Sequence, residues 1–200
     1  MISLTPPPND TSHPLEKEKL KKDDWFVQTV PLKVVQAFIQ QHHYAAGGSN
    51  TATYRHGLFK KGHDECLGVA WWIPPTKSAA LATFPEDWQS VLALSRLALH
   101  PSVPKNGASY LLGQSRKLID KARWRCFVTY ADEWQGHEGG IYRADNWKYV
   151  GRTKPERTYI KNGVMTARKA GPKTRTHAEM LAIGAELIGS FSKHKFVRIN

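Results

Sequence analysis

Two hundred residues, 40% of them hydrophobic, are enough for one domain with a core of its own. No run of roughly 18 apolar residues is present that would span a bilayer. The two cysteines, Cys66 and Cys126, lie in apolar strand-like runs without a CxxC pair, so the chain has no disulfide framework and fits a reducing compartment. Lysine and arginine number 29 against 17 acidic residues; the formal charge of +12 favours polyanionic partners: DNA, RNA or a phosphorylated cofactor.

The first 24 residues combine PPPND with LEKEKLKKDD and have little to bury, so a flexible tail over 1–24 is expected before a single domain over 25–200. No apolar signal region opens the chain, and a protein that remains in the cell is expected. A helix is predicted from Pro31, with proline in its first turn and Leu32, Val35, Phe38 and Ile39 as its apolar stripe. It ends at Gln41-His42-His43-Tyr44, followed by a small-residue loop over 45–49. Strands are expected at 53–59 and 66–73, joined as a hairpin across a polar turn, and Pro74-Pro75 closes the second. Residues 76–90 read as irregular or weakly helical.

The stretch 91–120 carries the most information. Val91–Leu99 reads as a half-buried strand stopped by His100-Pro101. Pro104 to Ser109 supply a small-residue loop, and Tyr110, Leu111, Leu112, Ser115, Leu118 and Ile119 then recur at helical spacing. A loop that opens a helix offers free backbone N–H groups and the positive end of the helix dipole to an anion. Lys105, Asn106, Gly107, Ala108 and Ser109 are therefore candidates to hold a pyrophosphate. This strand-loop-helix resembles the one with which GNAT-type acyltransferases hold coenzyme A. It departs from that pattern at Pro104, which has no N–H to donate, and at Ser109, which stands where the smallest residues are usual.

Farther on, 125–131 reads as a buried strand and 132–140 as a glycine-rich irregular segment, with a short helix over 141–147. A strand starts near Tyr149. Strands at 158–160 and 164–168 flank Asn162-Gly163, the strongest two-residue hairpin signal. Thr176 and Glu179 form a capping box, and Met180, Leu181, Ile183, Leu187 and Ile188 give a final helix its apolar face. The order predicts an α+β, layered fold with a mixed central sheet flanked by helices, antiparallel at its start and with a parallel pair around the loop.

Three separated segments, HHYAAGGSNTATYRHGLF, LSRLALHPSVPKNGASYLL and YADEWQGHEGGIYRADNWKYVGRT, together resemble the Mom DNA-modification proteins of Mu-like phages, over roughly residues 35–190. The resemblance implies a GNAT-like fold and the addition of a carbamoylmethyl group to N6 of adenine in double-stranded DNA within an infected bacterium's cytoplasm, protecting that DNA from restriction. It places His43, Tyr44, Arg96, Ser109, Asp132 and Tyr142 at the active site. It also implicates acetyl-CoA and iron, with His43, Tyr44 and Asp132 as the iron ligands and His42 or His137 in reserve. A histidine, tyrosine and carboxylate set suits iron and leaves positions open for substrate. The product joins N6 to a CH₂ group, which simple acyl transfer does not make, so the donor is an acetyl unit handled with metal assistance or a glycine-derived group.

Arg96 sits among leucines in mid-strand and needs a partner, for which Asp132, a phosphate or a coenzyme carbonyl are the candidates. Arg152, Lys154, Arg157, Lys161, Arg168, Lys169, Lys173 and Arg175 surround the hairpin and are expected to contact DNA phosphates. Trp134, Trp147, Tyr130 and Tyr142 are expected either to pack the core or to stack an extruded adenine. The alternative reading is a conventional GNAT N-acetyltransferase acting on a small amine or a protein lysine.

Overall fold

A computed structural model of the chain describes residues 18–44, 52–170 and 173–200. The loop expected over 45–49 and residues 1–17 of the expected tail lie outside the described residues. Residues 18–24 run along the start of the helix at 107: Leu20 N–H donates to Lys105 O at 3.0 Å, Lys105 N–H donates to Glu18 O at 3.1 Å, and Leu20 packs against the main core.

The chain enters the central sheet with β1 (Trp25–Thr29), a strand that the sequence reading did not anticipate. α1 (Leu32–His42) follows, then the hairpin β2 (Tyr54–Lys60) and β3 (Gly68–Ile73). A short α2 (Lys77–Leu81) and a 3-10 turn (Pro85–Ser90) lead into β4 (Val91–Leu99), α3 (Gly107–Lys117) and β5 (Cys126–Asp132). α4 (Gly140–Ala144) and β6 (Lys148–Arg152) come next. The last strand, β12 (Lys193–Ile199), inserts between β5 and β6, so the sheet order is β1-β2-β3-β4-β5-β12-β6. All its neighbours are antiparallel except β4 and β5, which pair in parallel as expected.

Between β6 and β12 the chain makes an excursion of its own. β7 (Glu156–Lys161), β8 (Val164–Thr166) and β11 (Glu186–Phe191) form a three-stranded sheet. It is joined by the two-residue pair β9 (Lys169–Ala170) and β10 (Lys173–Thr174) and by α5 (His177–Ala182). The Asn162-Gly163 turn has both residues at positive φ, 51° and 76°, as the hairpin signal requires. The capping box on α5 is present, but the helix ends at Ala182 rather than running to Ile188. Gly184, at φ +79°, turns the chain, and Ala185 N–H donates back to Met180 O at 3.0 Å. A left-handed glycine of this kind satisfies the last helical carbonyls and stops the helix. Leu187 and Ile188 consequently lie in β11.

Around β3 both faces of the sheet are covered. β3 is apolar at every position because its alternate side chains serve two cores. Val69 and Trp71 pack under α1 with Val35, Phe38 and Ile39. Ala70 and Trp72 pack under α3 with Leu111, Leu112, Phe127 and Phe196. Each such apolar side chain contributes roughly 1.5–3 kcal/mol on burial.

One polar network lies within the second core. Trp72 Nε1–H donates to Ser115 Oγ at 2.8 Å, and Ser115 Oγ lies 2.7 Å from His56 Nδ1. Indole N–H only donates, so Ser115 Oγ is an acceptor toward Trp72, and its second lone pair and its hydrogen remain to meet His56 Nδ1 in either tautomer. Burial, followed by the nearby Arg55 charge, pushes His56 down to about 4. Below its ordinary value of 6.5 the unfolded chain takes up a proton that the folded chain refuses, so His56 removes stability as the pH falls from about 6.5 toward 4, by roughly 3 kcal/mol at most. Urea midpoints measured from pH 7 to 4.5 should fall more steeply for wild type than for His56→Gln; parallel curves would refute this.

A candidate active site where two strands separate

The parallel pairing of β4 with β5 covers Val91–Ala93 against Cys126–Val128. Beyond it Thr129 Oγ1 donates across to Leu94 O at 3.3 Å, and the strands then diverge. The opening holds a cavity of about 500 Å³. Its walls come from 94–99 of β4, 129–132 of β5, His42, His43 and Tyr44 at the end of α1, Ala108 of α3, and 136–142.

β4 carries a bulge here: Trp71 pairs with Arg96 but Trp72 pairs with Leu94, leaving Ser95 as the extra residue. A bulge re-aims the side chains that follow it. Arg96 lines the cavity and donates through Nη1 to Ser95 O at 2.7 Å. Burial lowers its pKa, opposed by Tyr44 and Asp132.

Asp132, the last residue of β5, is only 5% exposed. Its Oδ2 accepts from the Tyr44 hydroxyl at 3.3 Å and is paired with Lys193 Nζ at 3.3 Å. The His43 ring stacks on Tyr44 with centroids 4.3 Å apart. Burial pushes His43 down to about 4, helped by the charges of Arg96 and His137 and resisted by Asp132, so its imidazole is neutral at pH 7. Burial and then the Asp132 carboxylate raise the Tyr44 phenol well above its ordinary value, so it keeps its proton. Tyr142 is likewise raised by burial, while its side-chain hydrogen bond with Thr129 pulls in the opposite direction.

Tyr142 is placed by the glycines before it. Gly139 has φ +77°, and a Cβ there would lie 2.3 Å from the Phe196 ring. Gly139→Ala combines left-handed strain with a clash against a buried ring; a loss of about 1–3 kcal/mol is expected, seen as a lower Tm together with loss of site function. A melting curve matching wild type would contradict it.

The structure therefore gathers His43, Tyr44, Arg96, Asp132 and Tyr142 around one cavity, but not Ser109. Ser109 Oγ donates to Asn106 O at 3.1 Å, inside the loop. Of the loop, only Ala108 lines the cavity. Asn106, at φ 68°, turns the chain into α3. Pro104 has no N–H, Lys105 N–H is bonded to Glu18 O, and Gly107 N–H is bonded to Pro104 O at 3.1 Å. The first-turn amides of Ala108 and Ser109 have no acceptor within the helix and are the groups suited to an anion.

Of the donor types that iron takes, His43 supplies a neutral imidazole and Asp132 a carboxylate, and Tyr44 would have to give up its phenol proton to join them. Among the described residues no three His, Cys, Asp or Glu groups converge for a metal, so Tyr44 is needed to bring the set to three.

The eight basic residues predicted to meet DNA span the end of β6 and the excursion, outside the cavity lining. Arg152 is paired with Glu133, Lys173 with Glu179, and Arg168 Nε donates to Arg175 O at 3.0 Å. Trp147 is a core residue, packed against Trp72, Phe127 and Tyr142. Trp134 is half-buried, edge-on to Tyr44 at 6.4 Å. Sequence reasoning missed Lys193 and Thr129. Lys193 owes its place to the register of β12 with β5, where it stands opposite Asp132, and no local pattern signals it. Thr129 was visible only as a polar residue inside an apolar strand.

The sheet order, the parallel pair that opens into a cavity and the helix beneath the loop define an acetyltransferase-like fold of the GNAT type. Solved structures of this kind include the IAA acetyltransferase from Bacillus cereus, at TM-score 0.54 and 8% identity, covering 88% of this chain and 99% of that one. A GNAT family acetyltransferase from Elizabethkingia anophelis, with acetyl-CoA bound, superposes at TM-score 0.52 and 10% identity over 90% of this chain and 100% of that one. The family model of the Mom protein family matches residues 24–199, and the chain belongs to that family. The methylcarbamoylase Mom of Escherichia phage Mu is 29% identical over 132 residues, 62% of this chain; the match spans 53% of that curated relative, about half its length. Among the described residues no helix is long and apolar enough to cross a membrane.

Proposed function

We propose that this protein modifies adenine in double-stranded phage DNA within the host bacterial cytoplasm, attaching a carbamoylmethyl group to N6 and so protecting the DNA from restriction. Membership of the Mom family supports the reaction class. The observation that carries the site is the convergence of His43, Tyr44, Arg96, Asp132 and Tyr142 on one buried cavity.

A base inside a duplex must be extruded before its amino group can be reached. A cavity of about 500 Å³ with Tyr44, Tyr130 and Tyr142 in its walls suits a flat aromatic ring. N6 is a poor nucleophile because its lone pair is delocalised into the ring, so a base is needed as the new bond forms. His43, held neutral by burial, accepts that proton. Tyr44, held protonated, directs its hydroxyl to Asp132, and Arg96 presents a cation to a carbonyl or phosphate oxygen of the donor. The N-terminus of α3 takes the donor's anion. A donor of coenzyme A type is supported by the shared fold; a glycine-derived donor is supported by the N6–CH₂ bond of the product. Where iron is bound instead, His43, Asp132 and a deprotonated Tyr44 would hold it and it would supply one-electron or Lewis-acid chemistry, with His43 then no longer serving as the base.

The test is nucleoside mass spectrometry of DNA from cells making the protein, repeated in vitro with protein stripped of metal and then given iron. Unmodified DNA with the wild-type chain rejects the activity; full modification by metal-free protein rejects iron. The fold also supports a conventional N-acetyltransferase acting on a small amine or a protein lysine. That reading predicts acetyl-CoA turnover without DNA and indifference to salt.

A further inference from the structure

The sheet face that carries Tyr130 and Asp132 continues beyond the cavity. Side chains alternate along a strand, so β5 presents Cys126, Val128, Tyr130 and Asp132 on one face. The register of β12 sets Ile199, Val197, Lys195 and Lys193 opposite them in turn. On β6, Lys148 stands opposite Val197. α2 and the 3-10 turn cover the β4–β5 part of this face, where Ala80, Phe84, Val91, Cys126 and Val128 close a small core. β12 and β6 instead form the floor of a second groove of about 570 Å³, walled by Ala82 and Thr83.

Lys148, Lys195 and Arg198 line this groove, and no Asp or Glu is among its lining residues. Lys195 Nζ donates to Ala82 O at 3.2 Å, which fixes the ammonium while leaving two of its three hydrogens for a ligand. Arg198 is held differently, donating through Nη1 to Asp145 O. The floor is apolar and open: Val150 is 46% and Ile199 63% exposed. One fixed ammonium, that of Lys195, with the exposed Lys148 on the neighbouring strand and an apolar floor, matches a sugar–phosphate backbone, whose charged oxygens meet lysine and whose sugars meet aliphatic side chains. The groove lies next to the cavity: Tyr130 lines the cavity and its cross-strand partner Lys195 lines the groove.

We propose that this groove is a phosphate track for the DNA strand whose adenine enters the cavity, with Lys195 and Lys148 each contacting one backbone phosphate. The inference rests on the reading of DNA as substrate, and adds a docking surface distinct from the basic excursion at 153–192. The experiment measures binding of a short duplex by fluorescence anisotropy across a salt series. The proteins are wild type, the double variant Lys195→Met with Lys148→Met, and a control, Lys60→Met with Lys61→Met, which removes the same charge from the exposed end of β2 and the turn after it, on the other side of the sheet. Each phosphate contact contributes about 0.9 to the slope of log affinity against log salt, so the track variant should lose about 2 from that slope while the control keeps it. Melting curves establish that all three proteins are folded. Wild type that binds duplex with a track variant of unchanged slope overturns the track alone, as does an equal loss in both variants. A change confined to binding of inorganic phosphate overturns it too. Wild type that shows no salt-dependent duplex binding removes the DNA reading itself.

Discussion

DNA from cells making Asp132→Ala is expected to carry at least about a hundredfold less modified adenine than DNA from cells making the wild type, the scale at which positioned proton-handling groups contribute. The carboxylate is 5% exposed and one of its oxygens holds both the Tyr44 phenol and the Lys193 ammonium. Its removal releases Tyr44, leaves the lysine without its counter-charge beside the cavity and takes away a proposed metal ligand. Asp132→Asn separates these effects, because the amide keeps the shape and can still accept from Tyr44 but carries no charge. Tyr44→Phe removes the phenol and leaves the carboxylate. Nucleoside mass spectrometry reads all three, alongside a melting curve for each protein. Wild-type levels of modification by a folded Asp132→Ala protein would remove the carboxylate from the proposed chemistry.

The largest expected stability effect lies away from the cavity, at Asp145. Its carboxylate accepts Arg116 Nε at 3.1 Å, Arg116 Nη2 at 3.2 Å and Trp147 Nε1 at 2.9 Å. The two charged side chains are 12% and 13% exposed, so solvent screens them little. This pair ties the C-terminal turn of α3 to the end of α4, and with it the helix that opens at the anion loop to the helix that carries Tyr142. Asp145→Ala leaves a guanidinium and an indole N–H without their acceptor inside the core. Breaking a buried pair from one side costs about 3–5 kcal/mol, a large share of the stability of a domain this size. Urea unfolding should show a correspondingly lower midpoint with little change in slope. Replacing both partners by apolar residues of similar volume should recover much of the loss, because the desolvation of the two charges is then relieved as well. An unfolding free energy within about 0.5 kcal/mol of wild type, the scale of an ordinary surface substitution, would refute the assignment.

Legibility in the sequence followed the range of the interactions. The β2–β3 hairpin, β4, α3 and β5 were visible because their apolar periodicity is local and strong. The Asn162-Gly163 turn and the Thr176–Glu179 capping box were visible because a few adjacent residues decide them. β1 and β12 were not. Trp25–Thr29 is short and half polar, and KHKFVRI alternates weakly because one of its faces is the floor of an open groove rather than a core. The expected final helix overran because its apolar residues continued past Gly184, where backbone conformation, not hydrophobicity, sets the boundary.

The same division runs through the site. The sequence by itself determined the fold class, and it named the loop ahead of α3 and the candidates His43, Tyr44, Arg96, Asp132 and Tyr142 through local pattern and family resemblance. The tertiary structure decided that these five share one cavity and that Ser109 bonds within its own loop. It also decided that Trp147 is core, that His43 is buried enough for its pKa to fall, and that Lys193 faces Asp132. The physical reason is that burial, strand register and the separation of β4 from β5 are set by pairings between residues far apart in the chain. No local window contains both members of such a pair; the chain has to close its sheet before a lysine at 193 and an aspartate at 132 become neighbours.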